Sequence, residues 1–415
     1  MQKYLLIILF SYLFVQGIEY WLKFMNLRYM KKCGKDIPPV FKGYIDEATL
    51  EKIHAYTIEK SSFSFIKSFY GNALVLIFLF GGLLNIYNAW VSSLNLSFIS
   101  SGLVFFLLLS YVSTFLSISF SLYDTFKIEN KYGFNAMTVK LWIIDFLKSL
   151  LLSTILIAIV LTVGLWFIQW SPDNWWIWIW IFYLIFSLFI MYISPYVIEP
   201  LFNKFTPIED ESLAQKIREL LQRVGIKVSR VFKMDASKRS RHTNAYFSGF
   251  GKVKRIILYD TLLEKMNQDE LLAVLSHEAG HWKKKHVLKL IIISEIISLA
   301  AIYISFMVLQ TDFLTNIFHI TPDTFFAKIV ILSFIGSIVS FPFNPLGNYI
   351  SRRFEREADR FSIQLMENKE NISTALIKLS KDNLSNLHPH PLYAAFYYSH
   401  PPIVERIETI NKSTR

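Results

Sequence analysis

Seven stretches of about twenty apolar residues constrain this chain more than any other feature. They fall near 4–22, 71–91, 102–122, 150–170, 177–198, 287–310 and 325–347. A bilayer core of about 30 Å takes roughly 20 helical residues to cross, and backbone polar groups in lipid must be satisfied within the helix itself. The pattern predicts an all-α polytopic membrane protein. Only 18% of residues are charged, against about 25% in soluble domains. Trp21, Trp90, Trp170 and the pair Trp175 and Trp176 stand at span ends, where interface aromatics belong. The first stretch has no small-residue cleavage site and reads as a retained span, not a removable signal.

Charge placement gives orientation. Nine cations from Lys23 to Lys67 lie between the first two spans, and Lys127, Lys131, Lys140 and Lys148 lie between the third and fourth. The alternate connections, 95–101, 171–174 and 311–324, hold no Lys or Arg. The positive-inside rule then places 199–286 and 351–415 in the cytoplasm. The expected organisation is spans one to five with their loops in 1–198 and a first cytoplasmic segment in 199–286. Spans six and seven follow in 287–350, and a second cytoplasmic segment in 351–415. Helical period over 211–224 and short strands at 230–234, 244–247 and 255–259 make these two segments a small α+β domain. The net charge of +11 is explained by topology and anionic lipid, not nucleic acid. One cysteine, Cys33, excludes an intramolecular disulfide and a cysteine-based zinc site.

The chemistry lies in His277-Glu278-Ala279-Gly280-His281, within a helical run over 269–285. Residues four apart on a helix share a face, so both imidazoles can hold one metal ion while Glu278 reaches a neighbouring water. Two neutral nitrogen ligands, an open position and an adjacent base suit zinc hydrolysis. Leu271, Leu272, Val274 and Leu275 make the flanking helix apolar. His and Glu buried side by side need a partner, most commonly a metal.

Zinc needs a third protein ligand. The downstream candidates are Glu355, Glu357, Asp359, His388, His390 and His400. In the helical stretch after the seventh span, Glu355 and Asp359 share a face. Glu355 can bind the ion while Asp359 accepts the free N–H of a ligating histidine. Glu357 faces elsewhere, as a solvated partner of Arg353 or Arg360. His286, about 140° round from His281, is a poor ligand and is expected at headgroup level. His388 and His390 read as loop residues. His400 either donates to a developing oxyanion or is one more loop histidine.

These residues resemble the gluzincin pattern of the type I CAAX prenyl endopeptidases: His277 to His281 together with Glu355-Arg356-Glu357-Ala358-Asp359. Other stretches are similar too: the run from Glu129 to Asn135, from Pro200 to Phe205, Asn244 to Phe247, Lys254 to Leu263, and Tyr398 to Pro402. The likeness extends over essentially the whole chain. It departs at Arg356, which replaces an aromatic often found there, and in its very short outer loops. The resemblance implies seven tilted helices around a water-filled chamber, one Zn2+ per chain, and cleavage after a prenylated cysteine. It implies His277, His281 and Glu355 as metal ligands, Glu278 as base, Asp359 as supporting acid and His400 near the oxyanion. Asn244, Ala245, Tyr246 and Phe247 would hold the substrate backbone. The implied partners are a peptide or protein substrate with a lipidated C-terminus, and membrane lipid. Compactness favours a bacterial cell membrane; in a eukaryote the setting would be the endoplasmic reticulum. Two other readings stand beside this one: a quality-control protease of the HtpX type, which resembles a shorter four-span protein, and a non-catalytic channel with structural zinc.

Overall fold

The computed structural model describes residues 2–248 and 253–413; the expected turn at Gly249 lies outside them. Seven helices are long and apolar enough to cross a membrane: Gln2–Cys33, Glu47–Phe80, Phe98–Tyr132, Val139–Trp170, Trp175–Phe202, His286–Leu309 and Phe325–Leu365. At 1.5 Å per residue they run about 36–62 Å, beyond the hydrocarbon core, so they carry polar ends out to the site. In six of them no more than 11% of the most apolar stretch is buried within the protein. Neighbouring spans meet in sequence from first to seventh, and the seventh meets the first, so the helices form a ring.

Hydropathy misplaces the second span. The helix Glu47–Phe80 stops at Gly81, and Gly82 turns the chain at φ +83°, where a side chain would be strained. The following apolar helix, Leu83–Ser93, is no span. Its Leu84 and Val91 join Tyr12, Phe105, Leu314, Ile317, Phe318 and Phe326 in a core that closes one end of the ring. The helix Phe313–Phe318, inside the expected 311–324 connection, belongs to the same plug.

The opposite end is closed by an α+β unit. Its sheet has the order β1-β2-β4-β3, with β1 at Phe205–Pro207, β2 at Lys227–Met234, β3 at Ala245–Ser248 and β4 at Val253–Tyr259. The β2/β4 pair is parallel; β1/β2 and β3/β4 are antiparallel. Strand β3 is therefore an edge. The helices Glu211–Arg223, Gln268–Lys283 and Glu370–Asp382 pack with the sheet around Leu213, Ile217, Leu221, Ile256, Leu258, Leu271, Leu275 and Ala375. A second cluster joins Phe41, Leu50 and Ile53 to Ile128, Phe134, Ile377 and Ile407, locking the first loop and the third helix end to this unit.

The seventh span differs most from expectation. It continues past 347 through a tight turn at Phe341–Phe343, with Pro342 inside, into Asn344–Leu365. The second acidic motif is thus carried on a spanning helix.

Candidate active site

The helix Gln268–Lys283 begins with a capping box: the Asn267 side chain accepts from Glu270 N–H at 2.9 Å, and Glu270 accepts from Asn267 N–H at 3.0 Å. Buried Leu271, Leu275 and Ala279 recur every four residues and seat one face in the core. The stripe beside it, His277 and His281, faces the seventh helix. Gly280 makes this approach possible. A Cβ there would lie 2.9 Å from Ala358 Cα and 3.0 Å from its carbonyl oxygen. Ser276 and Ser362 hydrogen-bond across the same contact. Close helix packing delivers Glu355 to the two histidines.

Two imidazoles and one carboxylate converge, each histidine Nε2 facing its own oxygen of Glu355. His277 Nε2 lies 3.2 Å from His281 Nε2 and 3.4 Å from Glu355 Oε2; His281 Nε2 is 3.1 Å from Glu355 Oε1. Tetrahedral zinc with bonds near 2.0–2.1 Å sets its ligand atoms about 3.3 Å apart. Glu355 Oε2 is buried with no hydrogen-bond partner among the described residues, which suits an oxygen aimed at a cation. The residues fit a metal.

The back of each imidazole supports this reading. His277 Nδ1 lies 2.8 Å from Asp359 Oδ1, and donation to that carboxylate leaves a lone pair on Nε2. His281 Nδ1 faces His286 Nδ1 at 3.0 Å, and His286 Nε2 faces Glu357 Oε2 at 3.1 Å. The chain is consistent if Glu357 accepts from His286, and His286 accepts from His281. Two expectations are refined here. His286 is buried and stacked on Phe354 instead of facing outward, and Glu357 serves it as well as Arg353. The cause is a helix break: Lys285 adopts φ +56°, so the angle counted from His281 no longer applies.

Arg406, from the helix Ile403–Lys412, was not singled out by any motif. It donates to both oxygens of Asp359, at 2.9 and 2.7 Å, and lies 3.7 Å from Glu355. No local pattern marks it; only the fold brings it in. Burial lowers the pKa of the His277 imidazole, but Asp359 and Glu355 outweigh it and carry it to about 9, so the pocket draws positive charge. Burial raises the pKa of Glu278, with the neighbouring imidazoles opposing it.

A cleft of 130 Å³ holds Glu278 with His277, Glu355, Asp359, His400, Asn244, Ala245 and Arg406. His400 Nε2 stands 3.4 Å from Glu355 Oε1, and Nδ1 is 3.0 Å from Ser399 Oγ. The strand begins at Ala245, one residue later than expected. Of its side chains, Ala245 reaches the cleft, Tyr246 donates to Glu199 at 2.8 Å, and Phe247 packs into the core. His390 lies elsewhere, capping the helix Pro391–Tyr397, and His388 packs beside His54.

The strand is held from behind. Asn383 Oδ1 accepts from Thr243 N–H at 3.2 Å and from His242 Nδ1 at 3.0 Å. His242 stacks on Phe134 with ring centroids 4.0 Å apart, and its Nε2 meets Glu129 at 3.3 Å. At the other end of the strand an apolar cavity of 1290 Å³ opens between the fifth and sixth spanning helices, touching Ser248, His281, Leu184, Leu188, Val287 and Ile291.

Comparison with known proteins matches both halves. Residues 26–204 match the CAAX prenyl protease N-terminal family, described as five membrane helices, and residues 207–414 match peptidase family M48. The chain is 34% identical to CAAX prenyl protease 1 of Saccharomyces cerevisiae, over 92% of this chain and 90% of that one. It is 36% identical to an Arabidopsis thaliana homologue over 90% of each, and 32% to a human homologue over 96% and 94%. The crystal structure of S. mikatae Ste24p superposes with a TM-score of 0.90 at 32% identity, covering 98% of both chains. The chain belongs to the CAAX prenyl protease family of M48 peptidases and is a multi-pass membrane metalloprotease.

Proposed function

We propose that His277, His281 and Glu355 hold one zinc ion at the cytoplasmic end of the chamber, and that the enzyme cuts the amide following a prenylated cysteine near a substrate's C-terminus. Bound zinc supplies a Lewis acid that lowers the pKa of water towards about 7. Glu278 takes the proton of the attacking water and passes it to the leaving amine. Asp359, braced by Arg406, fixes the His277 ring, and the His400 N–H steadies negative charge growing on the carbonyl oxygen. The backbone of Ala245 to Ser248 offers an edge with which an extended peptide pairs without regard to its side chains.

The observation that carries the substrate class is the apolar cavity touching Ser248 and His281. A lipidated residue on the N-terminal side of the scissile bond fills it, so the peptide runs antiparallel to β3 and its released end lies towards Asn244. The lysine-rich loops between the first and second and the third and fourth spans support the cytoplasmic assignment. Purified protein given a farnesylated CAAX peptide, its unprenylated twin and an unprenylated membrane protein tests the reading. Cleavage confined to the first, abolished by chelator and restored by zinc, is expected. Equal cleavage of all three would make this a quality-control protease instead.

A further inference from the structure

On the other side of the fifth spanning helix lies a second cavity, of 650 Å³, which the catalytic reading does not use. Its walls are the start of the fourth spanning helix, the end of the fifth, β1, β2 and β4. The turn Ser194–Ile198 separates it from the apolar cavity, and Pro195 lines both. Four cations face it: Lys204, Lys238, Arg239 and Arg255. Two are already neutralised. Lys238 pairs with Asp235 at 2.6 Å, and Arg239 with Asp145 at 2.7 Å. Lys204 and Arg255 have no carboxylate partner among the described residues.

Arg255 is held in a way that exposes its donors. Its guanidinium lies 4.5 Å from the Phe232 ring centroid, 5.3 Å from Tyr196 and 6.0 Å from Phe205. One N–H donates to the Pro195 carbonyl at 3.0 Å. Aromatic contact occupies the faces of the cation, so its remaining N–H groups are presented at the edge, the geometry that suits a phosphate. The surroundings fix the kind of phosphate. Tyr196 is 52% exposed and Leu201 41% exposed on the same helix end, at the level where a spanning helix leaves the bilayer. A phosphate here has acyl-chain-facing surface directly beside it.

We propose that this cavity binds the phosphate headgroup of an anionic membrane lipid, with Arg255 and Lys204 on the phosphate oxygens and the chains lying along the exposed ends of the fourth and fifth helices. The chemistry shared with free phosphate is the anionic phosphate group. The lipid is favoured over free phosphate because one wall of the cavity is bilayer-facing helix. The site is distinct from the catalytic cleft, although Arg255 pairs across the sheet with Ser248 of β3.

Native mass spectrometry of the detergent-solubilised full chain tests this, titrating phosphatidylglycerol, phosphatidylcholine or sodium phosphate. Phosphatidylglycerol is expected to bind at least about tenfold more tightly than phosphatidylcholine. Lys204→Gln should weaken it about fivefold, the effect of one cation at a lipid surface, and Lys204→Glu more. Arg255→Lys should weaken it through loss of the planar fork. Lys204 has an exposed side chain, so its variants test the site even if Arg255→Lys misfolds. Equal binding of the two lipids, or wild-type phosphatidylglycerol affinity in Lys204→Glu, would overturn the proposal. So would displacement of phosphatidylglycerol by equimolar sodium phosphate, which would make it a soluble-anion site.

Discussion

Gly280→Ala is a one-methyl change whose consequence follows from three distances. The new Cβ would lie 2.9 Å from Ala358 Cα, 3.0 Å from its oxygen and 3.3 Å from its Cβ. Ordinary contacts between such atoms begin near about 3.5 Å, and two of the three belong to backbone that cannot rotate aside. The two helices must therefore part by roughly 0.5–1 Å. Gly280 adjoins His281, and Ala358 sits three residues from Glu355, so the movement passes almost undiminished into the 3.1 Å edge between their ligand atoms. Metal sites tolerate about 0.2 Å. For stability two effects oppose one another. Overpacking costs about 1–3 kcal/mol, while replacing glycine inside a helix returns about 0.8–1 kcal/mol. The net loss is about 0–2 kcal/mol, of the same order as the expected fall in zinc affinity of tenfold or more, about 1.4 kcal/mol or above, so the two effects must be read separately. Zinc affinity measured by competition against a chromophoric chelator, alongside a thermal melt, separates the two. Gly336→Ala is the control: nothing lies within 4 Å of its added methyl, so zinc affinity should not change. Wild-type affinity in Gly280→Ala would show that the close approach does not set the ligand geometry.

Other consequences follow from the groups around the site. His286→Phe keeps the stack on Phe354 but removes the acceptor behind His281, and should lower zinc affinity about 10–100-fold in the same chelator competition; an unchanged value would remove His286 from the relay. Asn383→Ala frees Thr243 behind the substrate strand and should raise KM about five- to tenfold with zinc content intact; steady-state kinetics showing a fall in kcat alone would refute that role. Burial raises Glu278 above the ordinary glutamate pKa of about 4.3. A base works deprotonated, so kcat/KM should fall as pH drops through that raised value. A pH profile still flat at pH 4 would contradict it.

Much of the site is local enough to be legible in one dimension. Four-residue spacing alone places His277 with His281 and Glu355 with Asp359 on shared helix faces, and both acids of the second pair reach His277. What brings the two pairs together is Gly280 against Ala358, a tertiary contact that no periodicity records. Hydropathy finds seven spans but cannot tell a membrane helix from an apolar plug, so it draws most of Leu83–Ser93 into the second span. The break at Lys285 illustrates a different limit. A lysine with positive φ carries no signal of its own, and missing it sends His286 to the wrong side of the helix. Arg406 is further still from recognition, because it stands in an ordinary amphipathic helix and acquires its role only by folding against Asp359.

The proposed hydrolysis requires Glu278 to act as a base beside a metal that it does not ligate. Zinc content and turnover of a farnesylated peptide, measured on one preparation of Glu278→Gln, address that directly. The expected result is one zinc per chain, as in the wild type, with turnover reduced about 10²–10⁴-fold. Undiminished turnover, or loss of the zinc along with the activity, would contradict it.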